Sequence, residues 1–352
     1  MLNDPLKTRL IRFAHLHHGQ SIPMVTLTGS SRTILGRTIY KRTLMSPSTN
    51  WLNRIKGEIR HDEPMANHTS LRVGGPADLF IIPKDVADLQ LIFKHHGDRP
   101  LFILGEGTNL LMSDKGFRGI VISIKNRFKS IEKPLFFKNA QGEEAALVTA
   151  GAATKMSYLV KNLAKYSLTG MENLVGIPGS LGGALIMNAG ADGTEICDVI
   201  RSVTRVNAEG ELETLSKSDL KFEYRKTTFP TKGGIIVSAE LELKKGDHAT
   251  IQETIDRHLV RRKNKQPLSL PNSGSVFKNP EGDTAGRLIE AAGLKGFSVG
   301  DAGVSIKHAN FIVNKGAATA SEVLEVIEHV RATVLEKTGI EMETEVIIVG
   351  ER

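Results

Sequence analysis

The chain has 352 residues, 40% of them apolar, enough for two or three domains with cores of their own. Its single cysteine, Cys197, excludes an intramolecular disulfide and points to a reducing setting, and no apolar run approaches the roughly 18 residues of a membrane span. The formal charge of +7 suggests nucleic acid, but residues 1–60 hold 10 Lys and Arg against 2 Asp and Glu, so the rest of the chain is nearly neutral; aromatics at 5% also argue against a base-stacking surface.

Residues 1–50 carry scattered apolar residues, many Ser and Thr, and one acid, Asp4, with no sustained period. They read as a disordered N-terminal arm or as an over-long start, with Met24 or Met45 as the true initiator; the Arg-rich, acid-poor make-up only weakly resembles a transit peptide. From Trp51 the pattern is that of a folded enzyme. Ala77–Pro83 is a strand, Lys84–His96 a helix, and Leu101–Leu104, Gly119–Ile124 and Ala146–Thr149 further strands, giving a first unit over 51–150. A helix over Lys155–Tyr166 opens a second unit, 151–245. A further helix follows at Ser180–Met187, then a hairpin of Val199–Val206 and Leu212–Leu215 around Asn207–Gly210, then a strand at Gly234–Leu243. The third unit, 246–352, begins with a basic helix over His248–Lys265 that Pro267 prevents from continuing. It holds helices at Ala285–Ala292 and Ala320–Lys337, strands at Gly303–Ile306, Asn310–Val313 and Glu345–Val349, and a helix-ending glycine at Gly339.

Two glycine-rich stretches bring backbone within reach of an anion: Leu104-Gly-Glu-Gly-Thr-Asn-Leu-Leu111 after a strand, and Gly176-Ile-Pro-Gly-Ser-Leu-Gly-Gly-Ala184 before a helix. Leu110 stands where a dinucleotide fingerprint needs its third glycine, and the second stretch lacks the Lys-Ser/Thr pair of a P-loop. Each alone reads as a tight turn; two in one chain favour a large phosphate-bearing ligand without naming it. Arg72, before Gly74-Gly75, offers a guanidinium to a pyrophosphate, or is a surface arginine before a turn. The histidine pairs at 17–18 and 95–96 lack metal-ligand spacing, so no metal is expected. Cys197 reads as a small buried hydrophobe, and His308 as either a pocket or a packing residue.

Eight separated stretches in order, HTSLRVGGPADL, ILGEGTNLLMSDKGFRGIVI, GMENLVGIPGSLGGALIMNAGA, FEYRKTTF, PNSGSVFKNP, AGRLIEAAGLKG, HANFIVN and ETEVIIVGE, resemble the bacterial UDP-N-acetylenolpyruvoylglucosamine reductase family, in its shorter subtype, over about 62–351. The resemblance implies an α+β protein. Two subdomains would form the FAD-binding fold of the FAD-linked oxidases, the type of vanillyl-alcohol oxidase, and a C-terminal α/β domain would close over substrate. It places FAD against Arg72, Gly105, Gly107, Thr108, Asn109 and Leu110, and against Gly176, Ile177, Pro178, Gly179, Ser180, Gly182 and Gly183. NADPH would be the co-substrate and UDP-N-acetylglucosamine enolpyruvate the acceptor, with no nucleic-acid or membrane partner, in a cytoplasmic monomer.

Such a reaction adds a hydride to the outer carbon of an enolpyruvyl double bond and a proton to the inner one. By resemblance Arg225 is the catalytic arginine, a charged fork for the substrate carboxylate. Glu345 would work protonated beside that carboxylate, and Ser275 would deliver the proton, held in place by Pro271, Gly274 and Pro280. Ser273, two residues earlier, does not match the pattern Gly-Ser-x-Phe-Lys/Gln-x-Pro. Tyr224 and Asn279 are expected to touch substrate, Lys278 with less support. An FAD-linked sugar or hydroxyacid oxidase and a non-catalytic binding protein are the alternatives. The first needs no proton donor to a substrate carbon; the second predicts steep salt dependence.

Overall fold

The computed structural model of the protein describes residues 47–125 and 127–351. Most of the expected arm lies outside them, but its last residues open a 3₁₀ helix, Pro47–Arg54, ahead of the expected start at Trp51.

The first sheet is built from β1 (Glu58–Pro64), β2 (Pro76–Ile82), β3 (Leu101–Leu104) and, after the short β4 (Leu110–Met112), β5 (Phe117–Ser123). Its order is β1-β2-β5-β3, with β1 antiparallel and the rest parallel. Helix α1 (Val86–His95) crosses from β2 to β3. Asp85 caps it, its Oδ1 accepting from Asp88 N at 3.1 Å, and Leu89, Ile92 and Phe93 are buried along one helical face. Asp88 itself is buried, and its carboxylate accepts the backbone N–H groups of Lys56, Gly57 and Lys84. Those three charge-assisted bonds offset the cost of burying a carboxylate and tie the chain before β1 to the helix.

The second sheet is antiparallel, in the order β12-β11-β15-β7-β6, with a short β8 (Leu168–Thr169) also on β15. Its strands are β6 (Leu135–Lys138), β7 (Glu144–Gly151), β11 (Ile200–Val206), β12 (Leu212–Ser216) and β15 (Ile235–Lys245). Strands β6 and β7 precede residue 151 yet belong to this sheet, because β7 pairs along β15 from Lys244↔Ala145 to Ser238↔Gly151. The expected hairpin is present: Asn207 Oδ1 accepts from Glu209 N and Glu211 N, and Val206 faces Leu212. Helices α2 (Met156–Ala164), α3 (Leu181–Ile186) and α4 (His248–Lys265) contribute Leu159, Leu181 and Ile255 to a core continuous with the first sheet. Two small hairpins complete this part: β9 (Gly190–Ala191) with β10 (Thr194–Glu195), and β13 (Lys221–Glu223) with β14 (Lys226–Thr228).

The C-terminal part has a second core. Helices α5 (Ala285–Ala291) and α6 (Ala320–Thr338) pack with a three-stranded sheet of β16 (Ser298–Val299), β17 (Ala302–Val304) and β18 (Ile312–Asn314). A capping box between Thr319 and Glu322 starts α6, and Gly339, at φ 70°, ends it. Leu71, Val73 and Leu111 from the N-terminal half sit in this same core, and the last strand, β19 (Ile347–Val349), pairs in parallel with β4. The C-terminal part is therefore clamped onto the first glycine-rich stretch. Among the described residues no helix is long and apolar enough to cross a membrane, and no cluster of three or more His, Cys, Asp or Glu could hold a metal ion.

Candidate active site

One cavity of about 750 Å³ lies where these parts meet, large within the ~300–1,000 Å³ range of small-molecule sites. Its lining includes every residue expected from the two glycine-rich stretches, together with Arg225, Ser275 and Glu345. The two stretches face each other closely: a Cβ on Gly179, at φ 114°, would come 3.1 Å from Thr108 Oγ1. Gly107, at φ 68°, has no alternative, because a Cβ there would come 2.1 Å from His68 O.

The Ser275 segment is held on both flanks. Ser70 Oγ donates to Asn272 O at 2.6 Å, Asn314 N donates to Pro271 O, and Asn272 Oδ1 accepts from Gly274 N. On the far side the buried Asn310 makes a two-way clamp on Phe277, accepting from its N at 2.9 Å and donating to its O at 2.8 Å, while Val276 N donates to Asn310 O. The stretch HANFIVN thus serves as the wall against which the serine segment is fixed. Ser273, 4% exposed, also lines the cavity, so position alone does not separate the two serines.

Glu345 precedes β19 rather than starting it. Its N donates to Val276 O at 2.8 Å, and its O accepts from Asn109 Nδ2 at 3.1 Å. One residue therefore joins the serine segment to the first glycine-rich stretch. Its carboxyl pairs with Arg225, and burial raises its pKa against the opposing pull of the Arg225 and Lys278 charges. Arg225 occupies the two-residue turn between β13 and β14, at φ 57°, an uncommon conformation for a residue with a side chain. Its guanidinium lies over the Tyr224 ring, 4.8 Å to the centroid, and Nη2 donates to Gly190 O at 3.2 Å.

Three expected contacts do not line the large cavity. Arg72, at φ 58°, lines a smaller cavity of about 340 Å³ that shares Thr108, Pro178, Arg262 and Gly274 with the large one. Tyr224 is half exposed, its ring under the Arg225 guanidinium and outside the lining. Asn279 is exposed, and its Oδ1 accepts from Ala285 N at the start of α5, an ordinary structural use for an asparagine. Cys197 is half-buried beside Glu195 and Asp198 rather than in a core; burial and those two carboxylates raise its pKa.

Four residues of α4 that sequence reading passed over face the cavity: His258, Arg261, Arg262 and Lys265. Their i, i+3, i+4, i+7 spacing was the available signal. Arg261 Nη1 and His258 Nδ1 both reach Asp192, at 2.7 and 3.1 Å. Arg262 has no carboxylate partner among the described residues; it bonds Gly176 O and Gln266 Oε1, and burial lowers its pKa. His308 lines the cavity too, its ring tilted 59° against that of Phe311, and burial lowers its pKa. Glu106 is nine-tenths buried, with Oε1 lacking a hydrogen-bond partner among the described residues. A tight glycine cradle, a half-buried guanidinium with no carboxylate partner among the described residues and an orphaned carboxylate oxygen fit a ligand with both phosphate and hydroxyl groups.

A family model described as an FAD binding domain matches residues 77–216, and one described as the C-terminal domain of UDP-N-acetylenolpyruvoylglucosamine reductase matches 266–349. The reductase of Lachnoclostridium phytofermentans is 43% identical over 293 residues, covering 83% of this chain and 93% of that protein. That of Shouchella clausii is 42% identical over 303 residues, covering 86% and 94%. The crystal structure of the Thermus caldophilus reductase superposes with a TM-score of 0.69 at 33% identity, over 84% of this chain and 99% of that one. An FAD-binding fold with a C-terminal domain is thus shown, and the cradle described above fits FAD. The chain belongs to the UDP-N-acetylenolpyruvoylglucosamine reductase family of FAD-dependent oxidoreductases.

Proposed function

We propose that the protein reduces UDP-N-acetylglucosamine enolpyruvate to UDP-N-acetylmuramate at the expense of NADPH, in the cytoplasm, as a monomer supplying peptidoglycan precursor. The observation that carries this reading is the meeting of Ser275, Arg225 and Glu345 in the cavity walled by the two glycine-rich stretches. Bound FAD supplies the hydride chemistry, which side chains cannot.

The residues of this chain have three tasks. Arg225 receives the substrate carboxylate and stabilises the negative charge that gathers there as the hydride arrives. Glu345, its pKa raised by burial, is assigned the protonated form, in which it would donate a hydrogen bond to the same developing charge. The Ser275 hydroxyl gives its proton to the inner carbon; the clamp from Asn310 and the bond from Ser70 fix its position, which matters more than its free acidity. Arg262, on the wall the two cavities share, and Arg72, in the smaller one, are assigned to diphosphate oxygens. For the substrate contacts expected at Tyr224 and Asn279 the geometry offers only exposed positions. We also propose that the first FAD subdomain ends near residue 125 rather than 150, and that the second runs through α4 to about 265 rather than 245, with the substrate domain following, since β6 and β7 lie in the second sheet and Ile251 and Ile255 of α4 pack in the core of the FAD part.

Steady NADPH consumption without oxygen, measured with and without the enolpyruvyl sugar nucleotide, tests the reading. Turnover only with the sugar nucleotide, and UDP-N-acetylmuramate as product, is expected; oxygen-dependent turnover with a simple sugar would replace the reading with an oxidase.

A further inference from the structure

The Arg225 turn is held from one direction. Thr227 Oγ1, on β14, donates to Leu185 O in α3 at 2.5 Å. Asn188, just past the end of α3, donates through Nδ2 to Glu223 O at 3.1 Å, the last carbonyl before the turn. The same Nδ2 donates to Glu195 Oε2 at 2.7 Å, on β10, whose partner strand β9 carries the Gly190 carbonyl that receives Arg225 Nη2. One amide nitrogen therefore fixes both the root of the Arg225 turn and the hairpin on which its guanidinium rests.

Asn188 is an expensive residue for mere packing. It is fully buried, sits at φ 39°, and leaves its Oδ1 without a hydrogen-bond partner among the described residues. A buried unsatisfied acceptor costs stability, and a left-handed side-chain residue adds to that cost. Costs of this kind persist where the surrounding structure needs the geometry.

We propose that Asn188 is a positioning residue for Arg225: it sets the guanidinium against Glu345 and the substrate carboxylate, without touching substrate itself. Because Ser180, within the second glycine-rich stretch, caps α3, the cofactor cradle and the turn of the carboxylate-binding arginine are tied to one short helix. The inference rests on the proposed function for its kinetic consequence, but its structural content stands apart from it.

Asn188→Gly keeps the left-handed backbone accessible and removes the amide. In the flavin-loaded variant, reduction by NADPH is expected to stay within about twofold of wild type, while reoxidation by the enolpyruvyl substrate falls roughly 10²-fold, the cost of a small misplacement of a catalytic group. The Arg225 Nε–H resonance of ¹⁵N-labelled enzyme, identified by its loss in Arg225→Lys, should shift or broaden. An unmoved resonance, or equal losses in both half-reactions, overturns the proposal. Where Asn188→Gly fails to fold or to hold flavin, Thr227→Val removes a neighbouring tie alone. A resonance shift with a several-fold loss confined to reoxidation then supports the proposal, and no change overturns it. Wild-type enzyme that does not turn over the sugar nucleotide sinks the functional reading alone; the resonance still decides the positioning.

Discussion

Arg225 Nε lies 3.4 Å from Glu345 Oε1, and each side chain is only 20% exposed. Beside a guanidinium a carboxylate would ordinarily ionise more easily, yet burial dominates and the Glu345 pKa is raised. The pair is therefore weaker than its distance suggests, and the arginine remains open to a better partner, the substrate carboxylate.

A protonated Glu345 has a pH signature. Activity in the reoxidation step should fall as pH rises through its raised pKa, and Glu345→Gln, which keeps a hydrogen-bond donor, should flatten that limb while retaining more activity than Glu345→Ala. Stability follows the same sign. The folded state binds the proton more tightly than the unfolded chain, so this contribution is full below the unfolded pKa and is lost as pH rises through the folded one. Denaturation of wild type and Glu345→Gln at a series of pH values checks this: the variant should gain on wild type as pH rises across that window.

Ser275→Ala should leave flavin reduction by NADPH near normal and slow product formation by about 10²–10⁴-fold, the usual worth of a positioned proton donor. Ser273→Ala, in the same cavity, should change the same rate by only a few-fold. Single-turnover kinetics on the two variants separates the serines; near-normal turnover in Ser275→Ala removes it from the mechanism.

Arg262→Gln should weaken retention of a diphosphate-bearing ligand by about 10-fold or more, because a half-buried guanidinium loses its charge-assisted bonds. Flavin release on dilution, set beside the KM for the sugar nucleotide, shows which ligand's diphosphate it holds. If neither changes, the arginine is a packing residue for the Gly176 loop.

Gly107→Ala should be damaging for a steric reason. The added carbon would meet His68 O at 2.1 Å, so backbone must move, at a cost of at least about 1–3 kcal/mol. A lower melting temperature with substoichiometric flavin is expected, whereas Gly142→Ala, with open space around it, should cost less.

Long periodic elements were legible in the sequence. Helix α4 matches its expected bounds, and Gly339 ends α6 as a left-handed cap. The edge strand β1 was not: reading EIRHDEP, it is nearly all polar and has no alternation to detect. Nor was the pairing of β4 with β19, which joins segments far apart in the chain and rests on three residues each. The glycine stretches announced a ligand because glycine is demanded by backbone proximity. Arg225, Ser275 and Glu345 were reachable only through family resemblance, since no local spacing links three single residues on separate loops. Asn188 was invisible for a further reason: its function depends on a carbonyl and a carboxylate brought to it by tertiary structure.

The most direct test mixes NADPH-reduced, flavin-loaded enzyme with UDP-N-acetylglucosamine enolpyruvate in the absence of oxygen. The account predicts rapid flavin reoxidation with one equivalent of UDP-N-acetylmuramate formed per flavin, and loss of that product in Ser275→Ala. Flavin that stays reduced until oxygen enters would contradict it.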